Sequence, residues 1–210
     1  MLEVLMRITT IVFTTILLSS SAMAEMTSPD DIAHEFYAWV FSEPGIGSGL
    51  PTQNEMKHLG KFFSSALLKL LNSAIAMEKQ CVENNTPGDK PHIVEGNIIV
   101  GNYEGATEII VGQARRAGAN AIVASRLFSI DTRFQKSHKH RAHTWIDTLV
   151  MSPDGSRWVI SDIKFKSGQS LARHLKEYVK YGILWCQAPN TSLNPDEQKR
   201  RAYAHSGWLR

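Results

Sequence analysis

Beyond its first two dozen residues the chain shows two textures. Apolar residues recur at helical spacing as far as about Met77, and short β-branched and aromatic runs take over from about Ile93. Ser28, Pro29, Asp30 and Asp31 form a helix start: a Ser cap, Pro in the first turn, and acids beside the positive end of the helix dipole. Ile32, Phe36, Trp39 and Val40 follow at helical spacing, and this helix is predicted to stop near Ser42, ahead of Pro44. Pro51 opens a second helical stretch, with Thr52 and Glu55 at the spacing of a capping box. Leu59, Phe62 and Phe63 lead on into residues 64–77, where Leu67, Leu68, Leu70, Leu71 and Ile75 make the stretch too apolar for an exposed helix.

The strand-like runs are 98–100, 108–112, 121–132, 144–151 and 157–165. Pro153, Asp154 and Gly155 are the strongest turn signal and are predicted to join the last two runs as a hairpin. Apolar positions from Leu171 to Ile183 predict a final helix over about 170–185. Helices first, then an antiparallel sheet, then a helix make the fold class α+β.

The first 24 residues change the picture of where the chain works. Arg7, an unbroken run of apolar and Thr residues from Ile8 to Leu18, three serines and then Ala22, Met23 and Ala24 follow the order of a cleaved secretory signal. The run is short for a bilayer span, which wants about 20 apolar residues. The expected organisation is therefore a signal peptide over 1–24, one α+β domain over 25–188, and a polar tail over 189–210. A periplasmic location follows, with no membrane span after cleavage. The formal net charge of +3 is mild, which argues against a dedicated nucleic-acid binder. Two cysteines, Cys81 and Cys186, stand in a chain bound for an oxidising compartment, so either a disulfide or two buried thiols fits.

Chemistry-bearing residues concentrate near the hairpin. If Asp154 and Gly155 are the two turn residues, Ser152 faces Arg157, Leu149 faces Ile160, and Asp147 faces Asp162. Two carboxylates opposed on a buried face repel, and at least one pKa rises into the range of general acid–base chemistry. A three-residue turn with a bulge instead puts Asp147 and Asp162 on opposite faces. Ordinary hydrogen bonding or solvation of both acids is the plainer alternative. Trp145 and Trp158 are the candidates for a pocket wall. His138, His140 and His143 are close enough in sequence to meet on a metal, but Lys136, Lys139 and Arg141 among them oppose a cation. The glycines at 45, 47 and 49 imitate a phosphate loop, yet no strand precedes them and no Lys followed by Ser or Thr closes them, so a connector is expected. No motif implies a cofactor, and neither a nucleophile elbow nor a Cys-x-x-Cys pair is present.

Several short segments taken together resemble an exported bacterial family, domain-of-unknown-function family 3828. They are Phe36-Tyr37; Lys90-Pro91 with Glu95-Gly96; Tyr103 to Thr107; Trp145-Ile146-Asp147; and Arg157 to Ile163. The resemblance spans roughly 32–184. It implies a fold similar to the nuclear transport factor 2 superfamily, with helices packed into a curved antiparallel sheet around a cone-shaped pocket. It implies no activity and no catalytic residues. The chain departs from it over 84–103, which does not read as a clean strand, and in the tail after Ala188.

The leading expectation is a non-catalytic binding module, its partner a small molecule in the pocket or another envelope protein on the sheet. The alternatives are an isomerase- or hydrolase-type enzyme using Asp147 and Asp162, and a structural or accessory envelope protein whose interior is filled by its own side chains.

Overall fold

The computed structural model describes residues 27–42, 49–84, 97–102, 105–131 and 142–186. The signal segment, most of the glycine connector, His138 and His140, and the tail lie outside the described residues. Three helices come first: α1 (Pro29–Ser42), α2 (Gln53–Leu59) and α3 (Ser65–Asn84). Four strands follow, β1 (Glu108–Ala117), β2 (Asn120–Ile130), β3 (Ala142–Asp154) and β4 (Arg157–Lys164), and α4 (Leu171–Cys186) closes the described chain. The architecture is α+β, as the order of textures predicts.

Each helix starts where its cap dictates. Ser28 Oγ accepts from Asp31 N–H at 3.1 Å, while Asp31 accepts from Ser28 N–H at 3.2 Å. Thr52 and Glu55 form the reciprocal pair at α2, at 3.3 and 2.7 Å. The second helical stretch divides in two, because residues 60–64 turn away to meet the sheet. Ile160 N–H donates to Phe62 C=O and Ser64 N–H donates to Ile160 C=O, at 2.7 and 2.9 Å. Ser64 Oγ then caps the restarted helix by accepting from Leu67 N–H at 3.2 Å. From there α3 runs seven residues past Met77, to Asn84.

The sheet is a meander in the order β1-β2-β3-β4, antiparallel throughout. Its inner face carries Val123, Ser125 and Leu127 from β2, and Trp145, Asp147 and Leu149 from β3, all buried. Across it lies α1, which touches β1, β2 and β4 and buries Phe36 and Tyr37 against the sheet. Each such apolar side chain taken from water contributes about 1.5 to 3 kcal/mol. The C-terminal halves of α3 and α4 pack together, Gly182 lying against Met77.

Two strand expectations change. Ile98, Ile99 and Val100 are buried but form bends rather than a strand, with Asn97 Oδ1 accepting from Ile99 N–H and Val100 N–H at 2.9 and 3.0 Å. Conversely, β1 continues through residues 113–117, which hold Gln113, Arg115 and Arg116, past a bulge between Val111 and Ala114. The Ala114 N–H at that bulge is taken by the Asp30 carboxylate from the first turn of α1. Both sheet edges are thus engaged, β1 at its bulge by Asp30 and β4 at Ile160 by residues 62–64.

Candidate functional site

The β3–β4 hairpin turns on Gly155 and Ser156, not on Asp154 and Gly155. Gly155 takes φ +62°, a conformation that costs glycine little and leaves Asp154 free to pair with Arg157. A second slip follows. Met151 pairs with Ile160 but Val150 pairs with Asp162, so Ser161 is the extra residue of a bulge, and its hydroxyl donates to Val150 C=O at 3.0 Å. Leu149 faces Ile163 instead of Ile160. Asp162 therefore shares a face with Val150, while Asp147 shares the opposite face with Leu149. The opposed carboxylate pair expected from a turn at Asp154 and Gly155 does not form; the two acids occupy opposite faces, though through a two-residue turn and a bulge at Ser161 rather than a three-residue turn at Pro153 to Gly155.

Their environments differ accordingly. Asp162 Oδ1 accepts from Ile163 N–H and from Ala172 N–H, both at 2.9 Å, so this carboxylate caps the start of α4 alongside Ser170. Asp147 is fully buried on the inner face. Its Oδ2 accepts from Gly101 N–H at 2.6 Å and from Trp145 Nε1–H at 3.2 Å. The Lys166 N–H also favours its charged form. Oδ1 has no well-formed hydrogen bond among the described residues. Burial outweighs these donors and raises the Asp147 pKa to about 6.

Ser125 lies directly across from Asp147 on β2, and the Tyr37 phenol from α1 interacts with both. Burial first, and then the Asp147 carboxylate, push the Tyr37 phenol above its ordinary pKa, while Ser125 acts in the other direction. Neither hydroxyl has a hydrogen bond of good geometry among the described residues. The result is a small polar island in an apolar core: one carboxylate, two hydroxyls and an indole N–H. Sequence reasoning singled out Asp147 and Trp145 but not Ser125, Tyr37 or Gly101. The available signal was a small polar residue at an inward position of an otherwise apolar strand, Val123–Ser125–Leu127.

The remaining candidates scatter. Trp145 and Trp158 are core residues; Trp145 stacks on the exposed His143 at 5.6 Å between ring centroids, and Arg116 lies over the Trp158 ring at 4.6 Å. Among the described residues no three His, Cys, Asp or Glu side chains gather as a metal site would need. Cys81 is buried, its Sγ 3.8 Å from Gly182 C=O, whereas the Cys186 side chain lies outside the described residues. Among the described residues no helix is long and apolar enough to cross a membrane.

The outer face of the sheet has a different character. Ile110, Arg126 and Ile146 are successive partners across β1, β2 and β3, and all three are exposed, the isoleucines at 59% and 49%. Thr144, Ala124 and Arg115 on the same face are exposed too. Compared with protein-family models, with curated proteins and with solved structures, the chain has no match in any of the three.

Proposed function

We propose that this chain is an exported, non-catalytic protein-binding module of the bacterial envelope that engages its partner through the outer face of the sheet. The observation that carries this reading is the exposed row Ile110–Arg126–Ile146 on a sheet whose other face is occupied by the core. Ile110 and Ile146 flank Arg126 on the two neighbouring strands, and exposed apolar side chains grouped within a polar rim mark interaction surfaces. The secretory pattern of residues 1–24 and the resemblance to an exported family support the destination. That destination also favours a bridge between Cys81 and Cys186.

A photo-crosslinking residue at Ile146, in the full chain and in the cells that make it, tests the reading. A defined protein adduct, absent when the same residue is placed at the exposed Lys79 on α3, is the expected result. No adduct, or lipid adducts only, overturns it.

One observation favours the second reading, an acid–base enzyme: the Asp147 carboxyl has its pKa raised to about 6 and sits beside Ser125 and Tyr37. Catalysis there requires residues 98–101 or α1 to lift, since Asp147 has no exposed surface.

A further inference from the structure

Resting on the protein-binding reading, we propose that Arg126 is the anchor of the outer-face contact, and that the partner is a protein surface presenting a carboxylate set between apolar side chains.

Arg126 pairs with Ile110 on one side and Ile146 on the other. Above and below it on β3 stand Thr144 and Thr148, and on β1 Glu108 flanks it ahead of the bulge. The guanidinium is exposed and makes no ion pair or hydrogen bond among the described residues; Glu108, the nearest acid of that face, does not reach it. Arg stays charged at every physiological pH and offers a planar fork of donors that fits a carboxylate two bonds at a time. A single such pair ringed by apolar contacts that exclude water is the anatomy of an interface hot spot.

Other occupants fit less well. A second copy docked symmetrically on the row brings two unpaired guanidinium groups together in a patch being dried. An anionic bilayer gains only about 1 kcal/mol per basic residue near its surface, and the three exposed cations of this face, Arg126, Arg115 and Lys164, share it with the carboxylates of Glu108 and Asp162. Addition of a partner strand to the sheet is opposed at both edges by contacts already made, Asp30 at the β1 bulge and residues 62–64 on β4.

The test extends the Ile146 crosslinking to charge exchange. The crosslinked partner peptide is identified by mass spectrometry and is expected to hold Asp or Glu among apolar residues. Arg126→Glu is expected to lower the adduct yield at least tenfold, with its thermal melt unchanged because the site is exposed. Reversing the identified carboxylate to Lys is expected to restore the yield with Arg126→Glu. A protein adduct whose yield ignores Arg126→Glu, or a partner peptide with no acid, overturns the carboxylate anchor while leaving the protein-binding reading in place. Lipid adducts or none overturn both. If Arg126→Glu melts early, Arg126→Gln replaces it, with the same expected loss.

Discussion

Ser125 and Asp147 stand opposite each other across β2 and β3, both with no exposed surface, within reach of the Tyr37 phenol. A cross-strand pair at that position is ordinarily apolar, so the carboxylate is held against the cost of its own burial. Its proton makes that cost dependent on pH. The folded pKa, about 6, lies above the reference value of 3.8, so between these values the folded chain keeps a proton that the unfolded chain releases. Stability from this group is therefore fully present below about 4 and is lost as pH rises through about 6. Above that, the buried charge costs about 3 kcal/mol. Asp147→Asn keeps an acceptor for Gly101 and Trp145 without the charge. It is expected to melt above the unsubstituted protein at pH 7.5 and close to it at pH 4. A lower melt at pH 7.5 means the three donors outweigh burial.

Gly101 approaches Asp147 more closely than any side chain permits. A Cβ there lies 2.5 Å from Asp147 Oδ1 and 3.1 Å from Phe165 Cβ. Gly101→Ala must displace either the Asp147 carboxyl or residues 98–101, and either shift weakens the hydrogen bond that most favours the charged carboxylate. A loss of about 1 to 3 kcal/mol in urea unfolding is expected, with the Asp147 carboxyl resonance titrating at still higher pH.

Asp162 has the opposite assignment. Asp162→Ala removes the acceptor of Ala172 N–H at the start of α4 and is expected to cost about 1 kcal/mol. The titration of Asp147 should not move, since the two carboxylates lie on opposite faces. A coupled shift in carboxyl-carbon NMR contradicts the observed register.

Much of this was legible in the chain. The caps at Ser28 and Thr52 were readable because a cap is a local device, written within four residues. The register of β3 and β4 was not. Asp154-Gly155 and Gly155-Ser156 are both acceptable turns, and the choice between them is made by contacts elsewhere: Phe62 and Ser64 hold Ile160, and the Ser161 hydroxyl closes the bulge. Ile98–Val100 misled for a related reason. An apolar triplet buried by a loop and one buried in a strand look alike when only three residues long. The island around Asp147 was half legible, because Tyr37 comes from a helix 110 residues away in sequence and no local pattern announces the meeting.

The cysteines provide a covalent check on the packing of α3 against α4. Peptide mapping without reductant is expected to recover one species joining Cys81 and Cys186. Reduction is expected to lower the melting temperature, the chain-entropy cost of so long a loop being about 4 to 5 kcal/mol. Recovery of two alkylated free thiols after denaturation without reductant contradicts the bridge.

The contact from Asp30 to the β1 bulge reaches beyond the single molecule. Free edge strands are templates on which other chains polymerise, and copies of one chain meet each other while folding. One carboxylate at the front of α1 makes completion of the first helix and protection of the first strand a single event. A chain lacking that carboxylate, Asp30→Ala for instance, is expected to keep its melting temperature yet to form fibres, followed by dye binding, sooner than the unsubstituted chain, because the edge of β1 is left unguarded.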